Sequence, residues 1–113
     1  LAEGALLEGS RVQRSIIGIR AVVRKNSTIE NSILMGAGHY ETPEDLEEGD
    51  VRIGVGENCV IRNAICDLDT RIGDGAKLIN EQGVDEYDAE NYAIRGGIIV
   101  VPKGATIPPG TVI

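Results

Sequence analysis

The sequence has no Phe and no Trp, and its 113 residues hold three Tyr. Ring side chains fill most cores of ordinary breadth, so this one must close over short aliphatic residues. There is one His, which leaves no credible Ser–His or Cys–His relay and cannot supply the three His ligands of a γ-class carbonic anhydrase zinc. The two cysteines, Cys59 and Cys66, lie seven apart with no second pair. They are too few for a disulfide framework and wrongly spaced for zinc, and are expected to pack inside as small apolar residues in a reducing cytosol. Positive charge is scarce: 11 Lys and Arg against 18 Asp and Glu, a net charge of −7. Nucleic acid and anionic membrane surfaces are therefore poor partners. No apolar run of about 18 residues is present to span a membrane. Gly54-Val55-Gly56 does not continue to the third glycine of a phosphate-cradling loop. The chain opens Leu1-Ala2-Glu3, without Met or a signal-peptide pattern and in mid-repeat. It is expected to be a single β-domain, residues 1–113, cut from a larger protein whose other part carries the chemistry.

Hydrophobic residues make up 42% of the chain, enough for a packed core and against wholesale disorder. Fifteen Gly and four Pro, spread along its length, imply many sharp turns. Five segments share one plan. They are Leu6 to Val12, Val23 to Ile29, Val55 to Ile61, Ile72 to Leu78 and Val101 to Ile107. Each opens on an aliphatic residue and reaches another six places on. The fourth place is Gly9, Asn26, Asn58, Gly75 or Gly104, and the fifth is small: Ser10, Ser27, Cys59, Ala76 or Ala105. The openers are 17, 32, 17 and 29 residues apart. With 17 as one coil, the longer intervals carry 15 and 12 extra residues, placed in acidic, turn-rich inserts at about 36–52 and 80–93.

This pattern predicts a coiled parallel β-structure, with three short strands and three corners per turn of a prism. Aliphatic residues at six-residue spacing point inward and stack on their counterparts one coil away, burying a continuous column. Gly or Asn suits a corner with positive φ, and the small residue suits a narrow interior. About five coils at the inter-strand spacing of about 4.8 Å would span roughly 20–25 Å. The alternatives, a β-sandwich with glycine-rich turns or a helical bundle, account less well for five segments agreeing at four columns. The helix-like stretches are short, such as Pro43 to Glu48 behind Thr42.

The segments resemble the hexapeptide repeats of the left-handed parallel β-helix. Parallel crossovers are normally right-handed, so the hand of the coil rests on the resemblance. The finer resemblance, over nearly the whole chain, is to the C-terminal domain of glucose-1-phosphate adenylyltransferase (ADP-glucose pyrophosphorylase). It is carried by Ser15-Ile16-Ile17-Gly18-Ile19-Arg20, by Met35-Gly36-Ala37 before the first insert, and by Ile53 to Asn58 and Ile61 to Ile65 with Arg71-Ile72-Gly73. Ile79-Asn80, Gly83-Val84, Glu86, Ile94-Arg95 to Ile98, and Ala105-Thr106-Ile107 with Gly110 to Ile113 continue it.

The resemblance implies an intact enzyme that converts ATP and glucose-1-phosphate to ADP-glucose and pyrophosphate for glycogen or starch synthesis. Its catalytic residues, and the Mg2+ expected there, belong to an N-terminal nucleotidyltransferase domain. This chain is implied to be a regulatory and oligomerisation domain without catalytic residues, cofactor or metal of its own. The implied partners are the N-terminal domain, a phosphorylated metabolite effector and further copies in a homotetramer, in the cytoplasm or a plastid. Lys103 matches the family's C-terminal effector lysine, and can present a mobile point charge to phosphate. An alternative for Lys103 is a surface ion pair with Asp74, read as one coil earlier in the same column. A second family lysine, after the aspartate matched by Asp67, falls on Leu68, which cannot bind phosphate. Arg62 and Arg71 are further candidate effector contacts, with a solvated face as their alternative role.

Other functional readings are a stand-alone hexapeptide acyltransferase with its site between subunits, or the C-terminal domain of another sugar-nucleotide pyrophosphorylase. His39 beside Tyr40 is the residue the acyltransferase reading would need. The acidic run Glu44, Asp45, Glu47, Glu48 and Asp50 lacks the oxygen-ligand spacing of an EF-hand and reads as a solvated loop.

Overall fold

The computed structural model describes residues 6–7, 9–38 and 51–113. His39, Tyr40, the turn from Pro43 to Glu48 and the acidic run through Asp50 lie outside the described residues. What is described is built of strands, with no helix among them.

The strands, numbered in chain order, form the three faces of a prism. Face 1 stacks β1 (Leu6–Leu7), β4 (Val22–Val23), β7 (Gly54–Val55), β10 (Arg71–Ile72) and β15 (Thr106–Ile107). Face 2 stacks β2 (Arg11–Gln13), β5 (Thr28–Glu30), β8 (Val60–Arg62) and β11 (Lys77–Leu78), with Val112 bridged to Lys77 beyond them. Face 3 stacks β3 (Ile16–Ile17), β6 (Ile33–Leu34), β9 (Ala64–Cys66) and β14 (Ile98–Val101), all parallel, followed by β13 (Ala93–Arg95) and β12 (Glu86–Asp88), which are antiparallel.

Each face sends a continuous aliphatic or thiol column inward, and face 3 adds Ala64 in register with Ile99. On face 1 the register stacks Leu7, Val23, Val55, Ile72 and Ile107. On face 2 it stacks Val12, Ile29, Ile61 and Leu78, and on face 3 Ile17, Leu34, Cys66 and Val101. From the second member on, every one of these side chains is buried. Enclosing one of the isoleucines contributes about 1.5–3 kcal/mol, and no two- or three-residue strand could hold it alone.

The corners behave as the pattern predicts. Gly9, Asn26, Asn58, Gly75 and Gly104 all have positive φ, from 55° to 73°. The small residue that follows points inward: Ser27, Cys59 and Ala76 are buried. Ser27 also ties coils together, its Oγ donating to Gly56 O at 2.6 Å and accepting from Cys59 N at 3.0 Å. Arg14 and Arg20 take the same left-handed backbone at φ 48° and 55°, although neither is Gly or Asn.

Three details differ from the sequence pattern. First, Leu7 rather than Leu6 stands over Val23, at a spacing of 16 residues, while Val12 stands over Ile29 at 17. The first corner is one residue shorter than the others on the same edge, and it holds the one buried polar side-chain atom without a hydrogen bond among the described residues, Ser10 Oγ. Second, the segment from Val101 to Ile107 does not turn the corner that Ile72 to Leu78 turns. Val101 lies on face 3 over Cys66, and Ile107 on face 1 over Ile72. The segment that does continue that corner is Ile107 to Ile113, with Gly110 at φ 74°. Third, the second insert is a hairpin rather than a loop. The chain leaves face 2 after Leu78 and rejoins the parallel ladder at Ile98, wider bounds than 80–93. Its strand β13 continues face 3 beyond β14, with Ile94 buried opposite Ile99. An antiparallel strand thus takes the next rung of this face, and Tyr92, Val84 and Ile113 pack against the core at that end.

Candidate functional site

The edge where face 3 passes into face 1 holds two of the predicted effector residues, Asp67 and Lys103, with Arg71 just beyond it on β10. It is built by Gly18 to Ala21, by Asp67 to Thr70 and by Pro102 to Ala105, with the first insert leaving beyond Gly36. Close approach of the coils requires glycine at that departure point. Gly36 has φ 95°, and a Cβ there would meet Ile19 O at 2.1 Å.

The register places Lys103 directly beside Leu68, because Val101 opposes Cys66 and Thr106 opposes Arg71. Gly104 N donates to Leu68 O at 3.0 Å across the same step. The two positions that the resemblance singled out separately are therefore neighbours on one edge. The suggested pair of Lys103 with Asp74 does not form. Asp74 belongs to the edge between faces 1 and 2, where its Oδ1 accepts from Glu57 N at 2.9 Å. Lys103 is exposed, and no carboxylate pairs with it among the described residues.

Asp67 is half-buried on the same edge and turned to its own backbone, Oδ1 accepting from Leu68 N at 2.7 Å. Arg71 stands on β10, three residues beyond Leu68, and donates to Val51 O at 2.8 Å. Arg62 is set apart. It lies on face 2, with Nε 3.3 Å from a Glu30 carboxylate oxygen.

Sequence reasoning did not find the group that holds the stem of the first insert. Arg20 donates to Ala37 O at 3.1 Å and Gly38 O at 3.3 Å, Arg24 to Ile53 O at 3.2 Å, and Asp69 Oδ1 accepts from Gly38 N at 2.8 Å. The contacts of Arg24 and Asp69 join residues across the insert, where the coil spacing is lost, whereas Arg20 and Ala37 lie one coil period of 17 apart, a signal that the repeat offered. Beside them on face 1, Arg24, Arg52, Asp74 and Pro109 border an open cleft of about 230 Å³.

The thiols are shielded from solvent. Both cysteines are free and buried, as expected. Burial pushes the Cys66 thiol up to about 12. Burial also raises Cys59, against hydrogen bonds that favour its thiolate; its Sγ donates to Gly73 O at 3.2 Å. Among the described residues no group of His, Cys, Asp and Glu is arranged to hold a metal. The chemistry this edge can offer is recognition: a mobile cation beside a shallow apolar step.

A family model described as the GLGC left-handed parallel beta-helix domain matches residues 1–112. The match spans all three faces and both inserts, and it assigns the prism its left hand.

Proposed function

Because the chain belongs to the family of the GLGC left-handed parallel β-helix domain, we propose that it is the regulatory and assembly domain of a glucose-1-phosphate adenylyltransferase. The reaction joins ATP and glucose-1-phosphate to give ADP-glucose and pyrophosphate. It would run, with Mg2+ on the nucleotide, in a separate N-terminal domain. This domain's share is to bind a phosphorylated effector and to hold the assembly together.

The observation that carries the effector half is Lys103, exposed on the edge between faces 3 and 1 with no ion-pair partner among the described residues. An ammonium with no carboxylate against it is open to contact by a phosphate. Leu68 beside it replaces the family's second lysine, so this site holds the anion with one cation of its own. Arg71 supports the edge by holding the insert stem at Val51. A single charge-assisted contact contributes about 1.5–3 kcal/mol. In the intact enzyme, Lys103→Ala should therefore raise the concentration of inorganic phosphate or sugar phosphate that modulates activity by roughly 10- to 100-fold. Basal turnover should stay near that of the parent. Superimposable effector titrations for parent and variant would remove Lys103 from the site.

The assembly half is supported by the outer surface of face 3. Its outward register runs Ile16, Ile33, Ile65 and Val100, an aliphatic ladder where face 2 carries charge.

A further inference from the structure

We propose that the cleft at the hairpin end of the prism is a binding site for a neutral saccharide, in which one pyranose ring lies against two tyrosines. The cleft shares no residue with the Lys103 edge, so it stands apart from the effector reading above.

Two of the three tyrosines meet at this cleft. Tyr87 on β12 stands opposite Ile94 on β13, and Ile94 stands opposite the buried Ile99. Tyr87 therefore belongs to the inward side of the sheet, as does Tyr92, two residues before Ile94. Their ring centroids are 6.0 Å apart and the planes are tilted by 38°. Tyr92 packs against the core, which gives it a structural role. Tyr87 is 52% exposed, so closing the core does not account for it. The cleft holds about 270 Å³, just below the range of about 300–1,000 Å³ for pockets that enclose drug-sized ligands, so its ligand is small.

The rest of the lining is aliphatic in one part and polar in another. Val84 and Ile113 pack against the core beside Ile94, with Val112 exposed next to them. The polar part is a turn clasped by Asn80. Its Nδ2 donates to Val84 O at 2.8 Å and to Gly97 O at 3.1 Å, and its Oδ1 accepts from Val84 N at 2.9 Å. The turn brings Glu81 and Gln82 to the cleft, both exposed and without an ion pair or side-chain hydrogen bond among the described residues. A pyranose ring has an apolar C–H face that suits an aromatic ring, and hydroxyls that both donate and accept. Glu81 offers acceptors and Gln82 offers both kinds of partner, which together match a pair of hydroxyls. Charge rules out a phosphate or nucleotide: the hairpin carries Glu81, Asp85, Glu86, Asp88 and Glu90 against Arg95, itself paired with Asp88. An organic cation would suit the tyrosines and Glu81, but it has no acceptor for the Gln82 amide.

Saturation-transfer NMR of the 113-residue chain in heavy water tests this with maltose as the probe, and circular dichroism checks that each variant folds. The chain has no Phe or Trp, so irradiating aromatic protons saturates its three tyrosines and one histidine. The parent should pass saturation to the ring protons of maltose, with a dissociation constant on the order of 1 mM. Tyr87→Ala should abolish the transfer, and Tyr87→Phe should keep the constant within about threefold of the parent. Glu81→Ala, at an exposed position that does not bear on folding, should raise it roughly tenfold. A parent without saturable transfer, a folded Tyr87→Ala variant that still binds, or an unchanged constant in Glu81→Ala would each overturn the proposal. So would tetramethylammonium binding at the cleft where maltose does not.

Discussion

Faces 2 and 3 are the same inside and opposite outside. Inward, both offer buried aliphatic or thiol side chains: Ile29, Ile61 and Leu78 under face 2, and Leu34, Cys66 and Val101 under face 3, where Ala64 and Ile99 add to them. Outward, face 2 carries Arg11, Gln13, Glu30, Arg62 and Lys77, with Glu30 and Arg62 paired across one coil step. Face 3 carries Ile16, Ile33, Ile65 and Val100. The coil needs only its inner columns and corners in order to close, so outward positions are free to carry function. Solvent suffices for one face, and the aliphatic ladder of the other is what supports the proposed assembly role.

The sharpest way to break that comparison is from inside. Ile61→Ala, beneath the charged face, should destabilise the chain by about 2–5 kcal/mol through lost burial and a cavity in a column that cannot collapse. Thermal or urea unfolding measures this, and a loss below about 1 kcal/mol would mean that the columns do not carry the fold. Beneath the apolar face, Cys66 supplies a pH dependence that the isoleucines cannot. Its folded-state value of about 12 stands above the ordinary 9.0. The unfolded chain therefore ionises this thiol first, and the stability from keeping it neutral is complete below about pH 9 and falls as pH rises toward 12. The slope is at most about 1.4 kcal/mol per pH unit. Melting temperatures between pH 8 and 10.5 should decline more steeply for the parent than for Cys66→Ala, and parallel curves would contradict a buried thiol. The smallest effect belongs to the outside of face 2. Arg62→Ala removes the partner of a part-exposed Glu30 and should cost about 0–1 kcal/mol, without altering sedimentation. A change in association state would move the partner surface to that face.

Much of this was legible in the residues. The absence of Phe and Trp, the aliphatics six apart and the Gly or Asn before a small residue all map onto inner columns and left-handed corners. The aliphatic ladder was legible too, had doublets been read as such: Ile16-Ile17, Ile33-Leu34, Ile65-Cys66 and Val100-Val101 each pair an outward with an inward residue, and all lie on face 3. The phase of Val101 was not legible. Two of the three corners of a coil take six residues, as Val55 to Ile61 and Cys66 to Ile72 do, so an insert of unknown length can return the chain at either with its pattern intact. Reading it one corner early put Lys103 beside Asp74 in place of Leu68, and turned a hairpin into a shorter loop. Arg14 and Arg20 at left-handed corners were also hidden, because side-chain type does not announce that backbone when long-range contacts impose it. Asn31 Oδ1 accepts from Arg14 Nε at 2.7 Å, and Arg20 reaches the insert stem.

By itself, the sequence determined the period, the inward column and the corner conformation of this protein, because these are local properties repeated in every coil. Only the tertiary structure decided which face each repeat occupies, how the second insert adds β13 to face 3, and that Lys103, Leu68 and Asp67 share an edge. Those outcomes depend on register across coils, where paired residues lie 16 to 35 positions apart and no short-range signal survives.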